Sequence, residues 1–262
     1  MRDLIALLVF AGAATAEDLQ RSASSALALA PTALVIVVDG IDPAPARALE
    51  AAGSSVPVHV LDAGAEVGRA AALNAAMDCL ADDVLVVLLG AGDTFFPDAK
   101  RRQIEDLGDR EYASFSGHHA RETGATWLPN VSLDLGAPEH EIRAMWERSL
   151  YLDQQFSAST TVFSHRAWRE VGGFDESLRF GVDWDFAIRV HHLVSWIAFP
   201  DVTGEVLARP EAEDLAGRSG SARARRKRHA EDLARVHETA RALSHPDLYA
   251  WWHRQRGARL VR

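Results

Sequence analysis

Four aspartates stand where a carboxylate could take part in chemistry. Asp39 follows the apolar run LVIVV, and Asp93 follows the run VLVVLL. Asp183 and Asp185 open a later stretch whose apolar residues recur at helical spacing. A carboxylate in such a place can cap a turn or a helix N-terminus, or it can accept a proton from a hydroxyl group that attacks a substrate. The residue types alone leave both interpretations open.

The elements that would position these aspartates alternate between apolar strands and amphipathic helices. The predicted strands span 4–10, 34–38, 58–61 and 84–89, and the predicted helices span 17–29, 42–52, 68–80, 165–171 and 183–194. Because the strands lack polar alternation, we expect an α/β fold with a mostly parallel sheet that is covered by helices on both faces. In such a sheet ligands bind beyond the carboxyl ends of the strands, where Asp39 and Asp93 are expected to lie.

Composition narrows the function classes. The single cysteine, Cys79, excludes an intramolecular disulfide and a multi-thiolate metal site. The net charge of −9, from 28 basic and 37 acidic residues, argues against nonspecific binding of nucleic acid, so we expect no nucleic-acid partner.

Charge is unevenly divided along the chain. Residues 218–262 hold 12 basic and 4 acidic residues and so carry +8, whereas residues 1–217 carry −17. We therefore expect a domain at 1–210 followed by a basic, helical C-terminal extension at 211–262. Such a segment is typical of a solvated helix face, of an anion-binding arm, or of peripheral contact with an anionic membrane surface.

The N-terminus allows two interpretations. Residues 1–16 combine a basic residue, an apolar run and an Ala-Thr-Ala ending, which is typical of a signal peptide. The acidic Asp3 and the need for an opening strand favour a strand instead. The run is shorter than the roughly 20 residues that span a bilayer. We expect a cytoplasmic protein whose basic segment could contact the inner face of the membrane.

Several sequence blocks, taken in order, resemble glycosyltransferase family 2, whose members are inverting nucleotide-sugar transferases with the GT-A fold. The blocks are VVDGID at 37–42, GRAAALN at 68–74, LLGAGDTFFP at 88–97, VGGFDE at 171–176 and VDWDFAIR at 182–189. The resemblance covers about residues 1–200. It implies a GT-A, Rossmann-like sheet and an inverting hexosyltransferase that uses a nucleotide-sugar donor and a saccharide, lipid or peptide acceptor.

The same resemblance implies roles for individual residues. On the donor side it assigns five residues: Asp39 to the base or ribose, Gly68, Arg69 and Asn74 to the shape of the pocket, and Asp93 to the diphosphate region. On the acceptor side, Asp183 would be the general base that deprotonates the acceptor hydroxyl. Trp184 and Asp185 would border the acceptor site.

One block departs from the family pattern. Where the family commonly has Asp-Ala-Asp-Asp, this chain has Gly90-Ala91-Gly92-Asp93. A divalent metal, Mn²⁺ or Mg²⁺, usually balances the charge of the departing diphosphate, and Asp93 is the one carboxylate of the block left to hold it.

Three interpretations follow from that departure. Cationic side chains of the basic segment, Arg218, Arg223 and Arg225, could replace the metal. A metal could instead bind Asp93 together with His191, His192 or a carboxylate near Asp183. The chain could also be a binding or scaffolding module that has kept the fold and lost the chemistry.

Overall fold

The computed structural model describes residues 2–64, 67–108, 113–120, 126–127, 150, 157–194, 196–207 and 222–243. Arg218 and the predicted domain boundary near residue 210 lie outside these ranges.

Within these ranges the strands are β1 Asp3–Ala11, β2 Ala33–Asp39, β3 Val58–Asp62, β4 Val84–Gly90, β5 Thr94–Phe95, β6 Ala113–Ala120, β7 Thr126–Trp127, β8 Thr161–Ser164 and β9 Trp196–Val206. The α-helices are α1 Ala16–Leu27, α2 Ala44–Ala51, α3 Arg69–Asp78, α4 Pro97–Leu107, α5 His165–Glu170, α6 Val182–Leu193 and α7 Ala222–Leu243. A short 3-10 helix, Ala158–Thr160, precedes β8.

The strands form one sheet in the order β3-β2-β1-β4-β8-β6-β9-β5, and β7 pairs with β6. The first four strands are parallel to one another. β8 runs antiparallel between β4 and β6, and β6 and β9 are again parallel. The α/β fold class predicted from the sequence is confirmed, and the segment predicted to open the fold forms the central strand β1.

Helices cover both faces of the sheet because side chains of a strand alternate between its two sides. From β1, Leu7 and its odd-numbered neighbours pack in a core shared with α3, α5, α6 and α7. Leu8 and the even-numbered residues pack in a second core with α1, α2 and α4. The apolar β1 sequence therefore serves two cores, which explains its lack of polar alternation.

The C-terminal helix α7 packs into the first of these cores. Val236 and Ala240 are fully buried there. The buried Asp232 carboxylate accepts hydrogen bonds from the backbone N–H groups of Arg179 and Phe180, at 2.9 and 3.2 Å. α7 is thus fixed to the chain that leads into α6. Over the described ranges, no helix is both long enough and apolar enough to cross a bilayer.

Candidate functional site

A cavity lies at the carboxyl ends of β1 and β2, the edge at which a parallel sheet is expected to bind ligands. Its volume is about 500 Å³, which is within the range of small-molecule sites. Eight residues line it: Phe10, Gly12, Ala14, Ala16, Gly40, Ile41, Asp42 and Pro45. Five of them come from the two segments that directly follow β1 and β2.

Asp39 connects this edge to the start of α3. It is the last residue of β2, and its Oδ1 accepts a hydrogen bond from the Gly68 N–H at 3.4 Å. Gly68 has φ +96°, and a Cβ at this position would lie 1.9 Å from Nη1 of Arg179. Glycine is therefore required for the turn, and the structure brings Asp39, Gly68 and Arg179 together.

Arg69 and Asp183 form an ion pair between two helices that are far apart in the sequence. The Arg69 Nε lies 3.2 Å from each carboxylate oxygen of Asp183. Asp183 is in the first turn of α6, where the helix dipole favours a carboxylate. The side chains retain 28% and 19% of their exposure, so solvent and small ligands can reach both.

Asp93 lies just beyond the end of β4. Its Oδ1 accepts the Leu207 N–H at 2.9 Å, and its Oδ2 accepts the Ser159 hydroxyl at 3.0 Å. Burial raises the pKa of this carboxyl, and the hydrogen bonds and the charge of Arg69 act against that rise. Arg69 therefore acts electrostatically on Asp93 while it is bonded to Asp183.

The side-chain amide of Asn74 makes its hydrogen bonds to other residues of the chain. Its Nδ2 donates to the Phe174 carbonyl and the Glu176 carboxylate, at 2.9 and 2.8 Å. Its Oδ1 accepts from the Phe174 N–H and the Trp168 indole, at 2.9 and 3.1 Å. Both donors and the acceptor are occupied. Asn74 therefore fastens α3 to the segment that leads into α6, and its expected part in the shape of the donor pocket stays a prediction.

Trp184 and Asp185 lie in the protein interior, and their expected place beside an acceptor stays a prediction. The buried Trp184 indole donates to the Leu150 carbonyl at 2.6 Å and packs against His237. The buried Asp185 forms an ion pair with Arg189 at 2.7 Å. Successive helical residues are rotated by about 100°, so α6 leaves Asp183 accessible and turns the next two side chains inward.

The described residues do not fit a divalent-cation site. No group of three or more histidine, cysteine, aspartate or glutamate side chains in the described part of the chain is arranged to hold a metal ion. His191 packs against the Trp196 ring, with 4.5 Å between centroids, and His192 is exposed. The interpretation that pairs Asp93 with one of these histidines therefore has no support in the structure.

Two residues at the site were missed by sequence reasoning. Ser159 contacts Asp93, and Arg179 donates from Nη1 to the Val67 carbonyl at 2.8 Å. Both contacts join segments that are distant in the sequence, and neither residue stands in a motif. The glycine at position 68 is the only sequence feature related to Arg179, and only the structure shows that the Arg179 side chain fills the space beside it.

The sheet order, the helices on both faces and the site at the carboxyl edge define a GT-A-like fold, the fold of nucleotide-sugar glycosyltransferases. The chain is similar in structure to a mannosyltransferase from Pyrobaculum calidifontis in complex with GDP-Man and Mn²⁺, with a TM-score of 0.60 and 15% identity over 99% of this chain and 81% of that one. It is also similar to S. aureus TarS 1–349 in complex with UDP-GlcNAc, with a TM-score of 0.60 and 12% identity over 92% of this chain and 74% of that one.

At these identities the similarity shows the fold alone. No protein-family model matches the sequence. No curated protein sequence matches it either.

Proposed function

We propose that this chain is an inverting glycosyltransferase of the family 2 type, which transfers a hexosyl group from a nucleoside diphosphate sugar to an acceptor hydroxyl. The observation that carries the proposal is the position of Asp183. It is a partly exposed carboxylate at a helix N-terminus, and Arg69 from the start of α3 orients it. Asp39 bonds to the residue just before Arg69, so the three residues belong to one edge of the sheet.

The proposed reaction is a direct displacement. Asp183 accepts the proton of the acceptor hydroxyl, whose oxygen attacks the anomeric carbon of the donor sugar from the face opposite the diphosphate. The bond between that carbon and the phosphate oxygen breaks, and its electron pair leaves with the nucleoside diphosphate. One carboxylate is sufficient for this chemistry because no covalent enzyme intermediate forms.

The structural neighbours support a nucleotide-sugar donor. The mannosyltransferase was solved with GDP-Man, and the TarS fragment with UDP-GlcNAc. In this chain the cavity of about 500 Å³ beyond β1 and β2 is the proposed nucleoside site. The exposed Asp42 contributes a carboxylate to its lining, where hydroxyl groups of a ribose could donate hydrogen bonds. The acceptor is proposed to be a saccharide, lipid or peptide hydroxyl.

Replacement of Asp183 by asparagine tests the proposed base. Asp183→Asn keeps the shape of the side chain and removes its basicity, so we expect sugar transfer to fall roughly 100-fold to 10,000-fold with nucleotide binding retained. The assay measures nucleoside diphosphate release from a panel of nucleotide sugars in the presence of saccharide acceptors.

Asp201→Asn is the matched control. Asp201 is also an aspartate paired with an arginine, Arg102 at 3.1 Å, but it is exposed and lies on β9. We expect this variant to keep full activity. Transfer by Asp183→Asn at the rate of the Asp201→Asn control would exclude the proton-acceptor role.

A second candidate function is a nucleotide-binding or scaffolding module without catalysis. The glycines at 90 and 92 favour it, because they stand where the resembled family has carboxylates. Calorimetry distinguishes the two functions when it is combined with the transfer assay. Nucleotide binding without transfer from any tested donor would favour the binding module, and absence of binding would favour the scaffold.

A further inference from the structure

Gly92, in the segment after β4, stands where the resembled family has a carboxylate, and a side chain at this position would be strained. Gly92 has φ +107°, and a Cβ at this position would lie 2.6 Å from Cδ2 of Leu207. The Gly92 N–H donates to the Ser22 hydroxyl at 2.8 Å, and that hydroxyl donates to the Asp93 carbonyl at 2.6 Å. The loop is therefore fixed in a conformation that only glycine adopts readily.

Asp93 is a weak candidate to hold a cation alone. Each of its carboxylate oxygens already accepts a hydrogen bond, one from a backbone N–H and one from a hydroxyl. The chemistry of the donor set thus disagrees with a divalent metal at the end of β4.

A fixed cation occupies this region instead. Arg69 acts on Asp93 through its charge and is bonded to Asp183 through Nε. Bonds between described residues use only this nitrogen of its guanidinium group, so two Nη groups are left to bind oxygen atoms of another molecule. A guanidinium group with two such donors matches the geometry of phosphate oxygens.

A second guanidinium group lies at the turn just before Arg69. Arg179 occupies the space over Gly68 that a Cβ would fill, and it donates to the Val67 carbonyl. Arg179 therefore lies against the turn that opens α3, the turn in which Asp39 accepts the Gly68 N–H and after which Arg69 begins the helix. This places two positive charges at the edge of the sheet that also carries the cavity.

We propose that Arg69, assisted by Arg179, supplies the positive charge for the diphosphate of the donor, so that this chain binds nucleoside diphosphates without a divalent metal. The inference rests on the proposed function and identifies how its donor site works. It differs from the expectation that Arg218, Arg223 or Arg225 would take this role. Arg69 belongs to the helix that follows β3, whereas Arg223 is exposed on α7.

Because Arg69 is paired with Asp183, the proposal predicts that replacing these two residues changes nucleotide binding in opposite directions. The negative charge of Asp183 lies beside the Nη groups that would bind the diphosphate, and it offsets part of the Arg69 charge. Removal of the Arg69 charge therefore weakens nucleotide binding, whereas removal of the Asp183 charge strengthens it. A structural role of the ion pair would make both variants weaker or leave both unchanged.

The experiment is a calorimetric titration of the full chain with UDP, GDP, ADP, CDP and dTDP, in EDTA and in MnCl₂. We expect at least one nucleotide to bind equally well in both conditions. Arg69→Gln should weaken its binding roughly tenfold or more, and Arg69→Lys should recover part of the loss. Asp183→Asn should bind roughly threefold more tightly than the original chain.

Arg166→Gln is the matched control, because the Arg166 Nε also donates to a carboxylate, Glu170 at 2.8 Å, but on the exposed surface of α5. It should bind nucleotide as the original chain does, and thermal melting should show that all four variants fold. Binding that requires Mn²⁺, or equal affinities of Arg69→Gln and Arg166→Gln, overturns the inference and leaves the proposed function standing. Absence of binding of all five nucleotides in both conditions overturns the inference and the proposed function together.

Discussion

Lys100 is a fully buried amine that contacts Ser159, which in turn contacts the candidate site. Its Nζ donates to Gln103 Oε1 and to the Ser159 carbonyl, both at 2.9 Å, and lies 4.9 Å from the centre of the Phe95 ring. Ser159 is also the residue whose hydroxyl bonds to Asp93. Burial lowers the pKa of Lys100 well below its ordinary value of 10.5. The folded chain therefore loses this proton more readily than the unfolded chain.

The lowered pKa predicts a pH dependence of stability. Between the lowered pKa and 10.5, the unfolded state binds a proton at Lys100 that the folded state does not hold. The free energy of unfolding therefore rises with pH in this window. Lys100→Met should remove this contribution, so the stability difference between variant and original chain should shift in favour of the original as pH rises towards 10.5.

Urea unfolding at a series of pH values, from neutral to alkaline, measures this difference. Lys227→Met is the control, because Lys227 is an exposed lysine on α7. Its stability relative to the original chain should not vary with pH in the same way. A Lys100→Met difference that stays constant with pH, as in the control, would show that Lys100 holds its proton in the folded state.

At the scale of elements, the strands of the first half could be predicted because their signal is local. The apolar runs of β1, β2 and β4 are largely buried on both faces, so the sequence of each run contains the information needed. β3 is a partly buried strand at the edge of the sheet, and its short apolar run is also a local signal. β6 could not be predicted in this way. Its buried Ser114 and Ser116 make a polar pattern, and their hydroxyls are satisfied by Gln103, Thr160 and Thr203 from other elements.

The residues of the candidate site also fall into those that the sequence could place and those that it could not. Asp39 and Asp93 could be placed at the carboxyl edge because topology alone puts strand ends there. The rotation of α6, which turns Trp184 and Asp185 inward, depends on what packs against the helix. The pairing of Arg69 with Asp183 spans 114 residues, and no local pattern records it.

Asn74 provides a prediction about how helices are joined. It connects α3 to the segment before α6 through bonds to Phe174, Glu176 and Trp168. Asn74→Ala leaves the Phe174 N–H and the Trp168 indole without their acceptor, so we expect the free energy of unfolding to fall by about 1–3 kcal/mol.

Urea denaturation checks the Asn74 prediction, with Gln20→Ala as a control. Gln20 is also an amide side chain, but it is exposed on α1 and makes a weak bond of 3.5 Å to Ser24. The control should change stability little. Equal effects of the two variants would mean that the Asn74 bonds contribute nothing beyond those available in water.

At the scale of the whole molecule, the distribution of charge along the sequence suggests two units, whereas helix α7 of the second packs into a core of the first. Residues 1–217 carry −17 and residues 218–262 carry +8, a contrast that favours a separate basic extension. Yet α7 contributes Val236 and Ala240 to the core that contains β1, α3 and α6. Asp232 adds buried hydrogen bonds to the chain before α6. We therefore expect α7 to unfold together with the sheet.

Val236→Ala tests this expectation. Val236 is fully buried, and its Cγ2 lies 3.1 Å from the position that a Cβ on Gly181 would occupy, so the smaller side chain leaves a cavity at the start of α6. We expect the free energy of unfolding to fall by roughly 1–3 kcal/mol. If α7 and the sheet are one cooperative unit, hydrogen exchange should accelerate by the same factor in peptides from α7 and from β1.

The matched control is Ala234→Ser, which changes an exposed residue on the same helix. It should leave exchange in β1 unchanged and affect α7 little. If Val236→Ala accelerated exchange in α7 while β1 kept its protection, α7 would open independently, and the division at residue 210 would describe two units. Because α6 begins beside Val236 and carries Asp183 in its first turn, cooperative unfolding would also mean that the basic helix helps to fix the position of the proposed base.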